Sequence, residues 1–448
     1  MNMKPSLPKG TRDFTPAQMR KRNYLFDTIR EVFTRYGYQP IETPALESLS
    51  TLTGKYGEEG DKLLFKVLNN GDFLGGADEQ ALAARDSAKL ASSIAKRGLR
   101  YDLTVPFARF VVMNQQDLNF PFKRYQIQPV WRADRPQKGR YQEFYQCDVD
   151  VVGSDSLMYE AELASIYDEV FAKLGLKVRI LLNNRKILAG MAEVAGIADR
   201  FMDMTIAIDK LDKVGMDGVK KELAERGVPE DGINRIETLL ANQSLEAWKG
   251  ELAGSETGLK GIAELETVFG YLAQNEPANE VVFDPTLARG LSYYTGCIFE
   301  VRALGAQMGS IGGGGRYDDL TGIFGLANVS GVGVSFGAER IYDVMEELEL
   351  FPASLSQDLA LLFVAFDEET HRYAFRCLAQ ARAAGITADL YPEPAKLKKQ
   401  MKYANDRRVP YVVLIGSEEM ANGLLTLKNM ESGEQGRHTL EEIIEKLH

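Results

Sequence analysis

Histidine and cysteine are scarce in this sequence. The three histidines are His371, His438 and His448, so the first 370 residues cannot supply a histidine general base, a Ser-His-Asp triad or an HExxH zinc site. Cys147, Cys297 and Cys377 are odd in number and far apart. They predict neither a disulfide framework nor a CxxC metal site. Chemistry in the first 370 residues must use carboxylates, arginines, tyrosines or a bound cofactor.

Long apolar runs are also missing. No stretch reaches the roughly 18 residues that a membrane-spanning helix requires, and the opening MNMKPSLPKGTRDF has no signal-peptide core. We therefore expect a cytoplasmic protein that is neither secreted nor inserted in a membrane. The chain has 448 residues, of which 45% are hydrophobic and 26% charged. These values predict a globular protein of two or three domains.

Positive charge is in deficit, since 53 Lys and Arg residues face 64 Asp and Glu residues, for a net charge of −11. Nucleic-acid-binding proteins usually carry a basic surface, so the composition excludes a protein that coats DNA or RNA nonspecifically. Two segments are nevertheless basic. Residues 121–142 carry six basic side chains against one acidic, and residues 393–410 carry six against two. Local sites for a polyanion therefore stay open.

Helix signals and changes in residue composition and pattern divide the chain. Thr15, Pro16 and Gln18 form an N-cap, a first-turn proline and a capping-box partner for a helix that ends at Gly37. A second helix is predicted over about residues 156–174, and residues 100–152 alternate in the manner of strands. We predict four segments: 1–185 and 277–350 as two parts of a catalytic domain, 186–276 as a helical insertion, and 358–448 as a small α/β domain.

Residues 124–153 predict an antiparallel hairpin with the basic loop ADRPQKGR. Alternation places apolar side chains on one face and gathers polar ones on the other, namely Arg124, Gln126, Gln128, Arg132, Phe144, Gln146, Asp148 and Asp150. A solvated sheet face is the usual case. The segments RYDLTVP (100–106), expected as a strand, and LARGLSYYTG (287–296) add further arginine, aspartate and tyrosine. This composition favours a ligand pocket.

Glycines cluster in residues 312–337. Residues 312–315 are four consecutive glycines that match neither GxGxxG nor GxxxxGK[ST], so they are either a flexible turn or a close approach of backbone to a ligand, beside Arg316 and Tyr317. In GVGVSFGAER, Arg340 falls in the first turn of a predicted helix, either as a surface arginine or at an anion site. Separated arginines, carboxylates and tyrosines suit phosphoryl or nucleotidyl transfer on a bound nucleotide.

Several of these motifs resemble those of the histidyl-tRNA synthetases, a family of class II aminoacyl-tRNA synthetases. PKGTRDF, the first helix with the Pro44 segment, VWRADRPQKGRYQEFYQ and GVGVSFGAER resemble the opening and motifs 1, 2 and 3. LARGLSYYTG and GGGGRYDDL resemble the two histidine-specific signatures, and the resemblance runs almost end to end. Ser292 stands where the first signature usually has aspartate, and Asp134 where motif 2 usually has glutamate.

The resemblance implies an α+β fold: a catalytic domain on a six-stranded antiparallel sheet, a helical insertion and a C-terminal α/β anticodon-binding domain. It implies a homodimer that joins L-histidine to tRNA(His) through a histidyl-adenylate, with ATP as substrate, Mg²⁺ accompanying ATP, and no further metal.

The resemblance also implies site residues. For ATP these are Arg132 at the α-phosphate, Asp134 at the adenine edge, Phe144 and Arg340 on the two faces of adenine, and Arg140 with Arg340 at the outer phosphates. Arg289 and Arg132 are the implied catalytic residues. The implied histidine-binding residues are Asp102, Thr104, Gln146, Asp150, Arg289, Tyr293, Tyr294 and Tyr317. Basic residues of the C-terminal domain are candidates for tRNA binding: Lys396, Lys398, Lys399, Lys402, Arg407 and Arg408.

Three alternatives stay open. The first is a regulatory subunit of ATP phosphoribosyltransferase, a family that typically lacks the C-terminal domain and the arginine signatures. The second is a synthetase for threonine, proline or glycine, against which the two histidine signatures argue. The third is a tRNA-binding accessory protein without catalysis, which the presence of Arg132, Arg289 and Arg340 disfavours.

Overall fold

The computed structural model describes residues 4–242, 244–288, 293–356 and 358–448. The chain divides into two units, Met1–Phe351 and Pro352–His448. The strands of the first unit are β1 (Gln39–Pro40), β2 (Leu46–Ser48), β3 (Lys66–Val67), β4 (Arg97–Leu99), β5 (Phe122–Trp131), β6 (Glu143–Val152), β7 (Val178–Asn184), β8 (Glu280–Phe283), β9 (Cys297–Ala303), β10 (Gly312–Tyr317) and β11 (Gly331–Gly337).

The helices of the first unit surround these strands. They are α1 (Pro16–Arg35), α2 (Leu49–Leu52), α3 (Gly57–Lys62), α4 (Glu79–Ala84), α5 (Ser87–Ile94), α6 (Thr104–Asn114), α7 (Met158–Lys173), α8 (Arg185–Val194), α9 (Phe201–Ile208), α10 (Leu211–Glu225), α11 (Glu230–Leu240), α12 (Leu245–Glu251), α13 (Glu256–Leu272) and α14 (Ala338–Glu347). Thr15 and Gln18 form the predicted capping box of α1, and Gly37 follows its end with φ 78°. Both long helices predicted from periodicity, α1 and α7, are confirmed.

Eight of the described strands form one sheet in the order β1-β5-β6-β11-β10-β9-β7-β8. The strands from β5 to β7 in this order pair antiparallel, whereas β1 and β8 join the two edges in parallel. The six antiparallel strands implied by the resemblance therefore form the middle of a wider sheet. The fold class, an α+β protein built on an antiparallel sheet, is confirmed.

The predicted hairpin is β5 and β6, with Arg124 opposite Asp150 and Gln128 opposite Gln146. Its apolar face packs under α1 and α7, where Val149 is fully buried. The polar face is also buried, since Arg124 is 0% exposed. The alternative that this face is exposed to solvent is therefore wrong. Its buried charges need partners inside the protein.

Two local predictions are wrong. RYDLTVP is not a strand, because α6 begins at Thr104 and the Asp102 side chain accepts a hydrogen bond from the amide of Val105. Pro106 in this first turn costs no helical hydrogen bond. The four glycines are most of β10, so the turn alternative is wrong, whereas a close approach of their backbone to a ligand stays a prediction. A Cβ on Gly315 would lie 2.8 Å from the Tyr294 ring, so the glycines leave room for aromatic side chains.

The region between β7 and β8 is helical, as its charged texture predicts, and contains α8 to α13. Its core includes Trp248, which is fully buried and whose indole N–H donates to the carbonyl of Asn242. No helix among the described residues is both long and apolar enough to cross a membrane.

The second unit alternates strands and helices as predicted. Its elements are β12 (Leu361–Ala365), α15 (Glu368–Ala383), β13 (Ala388–Leu390), α16 (Leu397–Asp406), β14 (Tyr411–Ile415), α17 (Ser417–Asn422), β15 (Leu425–Asn429), β16 (Gln435–His438) and α18 (Leu440–Leu447). The sheet order is β13-β12-β14-β15-β16. Thr439 and Glu442 form a capping box at the start of α18.

Candidate active site

A cavity of about 390 Å³ lies over the polar face of the hairpin, between β6, β10, β11 and the start of α14. It is lined by ten of the residues singled out from the sequence: Asp102, Thr104, Arg132, Asp134, Arg140, Phe144, Gln146, Tyr293, Tyr294 and Arg340. These residues come from segments more than 200 positions apart in the chain. Arg289, the remaining catalytic candidate, lies outside the described residues, as does Ser292.

Arginines occupy one end of the cavity. The Nε–H of Arg132 donates to the carbonyl of Tyr101 at 3.0 Å, and its guanidinium lies 5.3 Å from the centre of the Phe144 ring. Arg340 donates to the carbonyls of Gly139 at 2.8 Å and Ser310 at 2.6 Å. Two guanidinium groups are thus held in place by backbone carbonyls, an arrangement suited to phosphate recognition.

Glu339 anchors the arginine end to the N-terminal segment. It is 3% exposed and accepts hydrogen bonds from Arg12 and from Arg22, the latter at 2.5 Å. Gly10 meets the loop between β5 and β6, where its carbonyl accepts from the amide of Gln142 at 2.8 Å. The PKGTRDF segment therefore supports both the loop and the helix that present arginines to the cavity.

Carboxylate and amide oxygens occupy the other end. Oδ1 of Asp102 accepts hydrogen bonds from the Tyr56 hydroxyl at 3.0 Å and the Val105 amide at 3.1 Å. Oδ2 of Asp102 and Oε1 of Gln146 are buried and form no hydrogen bond with the residues that the structure describes. Burial raises the pKa of Asp102, although Arg132 opposes the shift. Two acceptors that lack donors make this end suited to a cationic ligand group.

Asp150 and Tyr317 do not line the cavity but lie beneath it. The Tyr317 hydroxyl donates to Oδ1 of Asp150 at 2.8 Å, and Arg124 lies 2.7 Å from Oδ2. Burial raises the pKa of Asp150, while Arg124 and the Tyr317 hydroxyl oppose the shift. A Cβ on Gly333 would lie 1.9 Å from Oδ1 of Asp150, so only glycine fits opposite this carboxylate.

Arg316 is a structural residue. Its guanidinium forms two hydrogen bonds with the buried Glu160 of α7, at 2.5 and 2.7 Å, and a third with Ser330. The sequence-based suggestion that Arg316 meets a ligand beside the glycines is therefore wrong. A short polar pattern cannot distinguish an arginine that faces a cavity from one that pairs with a carboxylate on a distant helix.

The structure adds cavity residues that the sequence analysis did not single out, among them Tyr141, Ser310, Ile311, Ser335 and Glu339. One signal could have identified Ser335. Small residues alternate along β11 at Gly331, Gly333, Ser335 and Gly337, which marks one face of the strand as crowded by its neighbours.

The basic residues predicted for tRNA binding lie on or beside α16 in the second unit. Lys396, Lys398, Lys399, Lys402 and Arg408 are exposed. Arg407 is instead half-buried and donates to Asp358 at 2.6 Å and to the Tyr403 hydroxyl at 2.8 Å. Arg407 therefore holds its own domain together as well as adding positive charge.

Two family models match the chain. A histidyl-tRNA synthetase model matches residues 10–78 and 76–341, and an anticodon binding domain model matches residues 357–448. The histidine–tRNA ligase of Bacteroides fragilis is 57% identical over 449 aligned residues, which cover 99% of both chains. That of Porphyromonas gingivalis is 58% identical over 437 residues, or 96% of both chains.

Solved structures resemble the chain along its length. The histidyl-tRNA synthetase of Nostoc sp. superposes with a TM-score of 0.84 at 30% identity and covers 100% of this chain and 99% of that one. A Bacillus halodurans protein, described as an ATP phosphoribosyltransferase regulatory subunit/histidyl-tRNA synthetase, has a TM-score of 0.72 and covers 92% of this chain and 99% of its own. At 21% identity, the second likeness shows the fold alone.

Proposed function

The chain belongs to the histidyl-tRNA synthetase family, and on that premise we propose that its cavity joins L-histidine to tRNA(His). The histidine carboxylate attacks the α-phosphorus of ATP, pyrophosphate leaves, and histidyl-adenylate forms. The terminal adenosine hydroxyl of the tRNA then attacks the histidyl carbonyl carbon, and AMP leaves.

One observation carries this proposal: guanidinium groups and buried acceptors without donors line the same cavity. Arg132 and Arg340 suit the phosphates of ATP, while Asp102 and Gln146 suit the α-ammonium group of an amino acid. A reaction between a nucleotide and an amino acid needs both ends. Aligning two substrates and neutralising charge are the contributions such a site can make without a histidine side chain.

At the ATP end, Arg132 contacts the α-phosphate, and Phe144 with Arg340 encloses the adenine. Asp134 accepts from the adenine edge, and the exposed Arg140 reaches the outer phosphates. Arg289 stabilises charge at the α-phosphate. Mg²⁺ arrives with ATP as part of the substrate, because Mg²⁺ usually binds through phosphates and few protein groups. Among the described residues no cluster of three or more His, Cys, Asp or Glu side chains is arranged to hold a metal.

At the histidine end, Asp102, Thr104 and Gln146 hold the amino and carboxylate groups. The imidazole extends between Tyr293 and Tyr294 towards Asp150 and Tyr317 beneath the cavity, and Arg289 also belongs to the proposed histidine-binding set. The ion pair between Arg124 and Asp150 supports this role, because it fixes the carboxylate beneath the cavity floor. The Tyr317 hydroxyl donates a hydrogen bond to the other oxygen of the same carboxylate.

We further propose the domain division predicted from the sequence, with catalytic parts at 1–185 and 277–350, an insertion at 186–276 and an anticodon-binding domain at 358–448. The exposed lysines of α16 favour contact with tRNA phosphates through the last domain. The protein acts as a homodimer in the cytoplasm, where tRNA is charged. Exposed apolar side chains beside the motif 1 segment, such as Leu46 and Met113, support a partner subunit there.

Pyrophosphate exchange into ATP, measured with each of the 20 amino acids in turn, tests the proposal. We expect exchange with histidine and background rates with threonine, proline and glycine. A regulatory subunit or an accessory tRNA-binding protein would show no exchange with any amino acid. Absence of histidine-dependent exchange would therefore refute the proposed function.

A further inference from the structure

We propose that Ser335 and Asp148 are positioning residues, which hold the Gln146 amide with its oxygen turned into the cavity to accept a hydrogen bond from the α-ammonium group of histidine. This inference rests on the proposed function and assigns roles to two residues outside the implied set of substrate contacts. Ser335 lines the cavity, whereas Asp148 is 2% exposed and lies below it.

Strand register brings the three side chains together. On β6, Gln146 and Asp148 are two positions apart and point to the same face. On the antiparallel β11, Ser335 is the partner of Asp148, and Gly337 is the partner of Gln146. Because Gly337 has no side chain, the Gln146 amide reaches along the face to Ser335.

One hydrogen bond and the strand register set the three groups in a row. The Nε2 of Gln146 donates to the Ser335 hydroxyl oxygen at 3.0 Å. Asp148 is the cross-strand neighbour of Ser335, and the Ser335 side chain lowers the pKa of the Asp148 carboxylate. The backbone is fixed as well, since the Tyr167 hydroxyl donates to the carbonyl of Ser335 at 2.8 Å. Neither the strand nor the serine can shift without losing these contacts.

The number of available protons determines which way the Gln146 amide is oriented. A serine hydroxyl has one proton, and an ionised carboxylate can only accept. The Ser335 oxygen accepts from the NH₂ group of Gln146, which leaves the single hydroxyl proton for the carboxylate of its cross-strand neighbour Asp148. The amide oxygen Oε1 must then face the other way, and it is buried without a hydrogen-bond partner among the described residues. A buried acceptor without a donor favours a ligand that brings one.

The state of Asp148 should control this orientation. A protonated Asp148 can donate to Ser335, which can then donate to Oε1 of Gln146 and turn the NH₂ group towards the ammonium. Burial raises the pKa of Asp148 to about 7. The charged groups that act on Asp148 are Arg124, Asp150, Asp102 and Arg100. Tyr167 and Tyr294 also face it and stay neutral, because burial raises their pKa values.

The test begins with Ser335→Ala and Ser335→Thr, assayed by histidine-dependent pyrophosphate exchange. Loss of the hydroxyl should raise the KM for histidine by about five- to tenfold, the equivalent of about one net hydrogen bond. The KM for ATP should stay within about twofold. Ser335→Thr keeps the hydroxyl and should restore the KM for histidine, whereas a defect in packing alone would not be repaired by a larger side chain.

Two substrate analogues separate orientation from general damage. Histidinol keeps the amino group, so its inhibition constant should rise in Ser335→Ala. Imidazolepropionate lacks the amino group, so its inhibition constant should not change. In a Gln146→Met background, Ser335→Ala should have no further effect on the KM for histidine, because the amide that it positions is gone.

The pH profile gives a further readout. Asp148→Asn should remove the part of the change in histidine KM between pH 6 and 8 that depends on Asp148, and the part due to the substrate imidazole should persist. The inference is overturned if Ser335→Ala acts equally with and without Gln146, or if imidazolepropionate loses affinity as much as histidinol. If the unsubstituted protein shows exchange with histidine, either of these results defeats this inference alone. If it shows none, the proposed function fails and the inference fails with it.

Discussion

Gly333→Ala should damage both the fold and the histidine end of the cavity. The added Cβ would lie 1.9 Å from Oδ1 of Asp150 and 2.3 Å from its Cγ, whereas optimal contacts are about 3.5–4.0 Å. Asp150 cannot retreat easily, because Arg124 lies 2.7 Å from Oδ2 and the Tyr317 hydroxyl 2.8 Å from Oδ1. Overpacking costs about 1–3 kcal/mol, and breaking a buried ion pair about 3–5 kcal/mol.

We therefore expect Gly333→Ala to lower the free energy of unfolding by about 3–5 kcal/mol and to raise the KM for histidine. Urea denaturation followed by tryptophan fluorescence measures the first unit alone, because Trp131 and Trp248 are the two tryptophans of the chain. Gly270→Ala is the matched control. It lies exposed in α13 with nothing within 4 Å of the added Cβ, and should stabilise by about 0.5–1 kcal/mol. A stability loss below about 0.5 kcal/mol in Gly333→Ala, with unchanged KM, would refute the reasoning.

Three further predictions concern other residues. Arg289→Ala should abolish adenylate formation while histidine still binds, and near-normal single-turnover activation would show that this arginine is not catalytic. Burial raises the pKa of Asp148 to about 7 from 3.8, so the folded chain holds this proton more tightly than the unfolded chain. The stability that the proton contributes is full below pH 3.8 and is lost as the pH rises through about 7. In urea denaturation, the free energy of unfolding should therefore fall less between pH 4 and 7 in Asp148→Asn than in the unsubstituted protein. An equal fall in both proteins would contradict this. Lys398→Ala should weaken tRNA binding and reduce the slope of log binding constant against log salt concentration by about 0.7–0.9. The control Lys446→Ala on α18 should change neither. Equal slopes in the unsubstituted protein and both variants would exclude Lys398 as a phosphate contact.

Much of the fold followed from local signals that the tertiary structure reinforces. The capping box at Thr15 and the glycine after the helix set both ends of α1. In the hairpin, period-two alternation places Arg124 and Asp150 on one face, and the register puts them opposite each other. Where local preference and burial agree in this way, the sequence is sufficient.

The failures occur where a specific contact overrides the residue pattern. RYDLTVP alternates like a strand, but Asp102 accepts from the Val105 amide and starts α6 instead. Four glycines suggest a turn, but neighbouring rings and strands require a backbone without Cβ at β10. The Asp102–Val105 contact is local, but alternation of polar and apolar residues does not reveal it. The packing of the glycines depends on residues that are remote in sequence.

The candidate site was predictable as a set of residues and not as a set of contacts. Alternation and motif resemblance identified most of the cavity lining, since ligand-facing residues share strand faces. They could not show that Arg316 pairs with Glu160, nor that Gln146 donates to Ser335. Such assignments depend on which helices and strands pack together, which the chain order does not reveal.

Charging of a tRNA(His) transcript with radiolabelled L-histidine is the most direct test of the central claim. With ATP and Mg²⁺, we predict acid-precipitable histidine on tRNA(His), none on a phenylalanine tRNA transcript, and one AMP released for each histidine transferred. Failure to charge tRNA(His) with histidine, or charging with a different amino acid, would contradict the account.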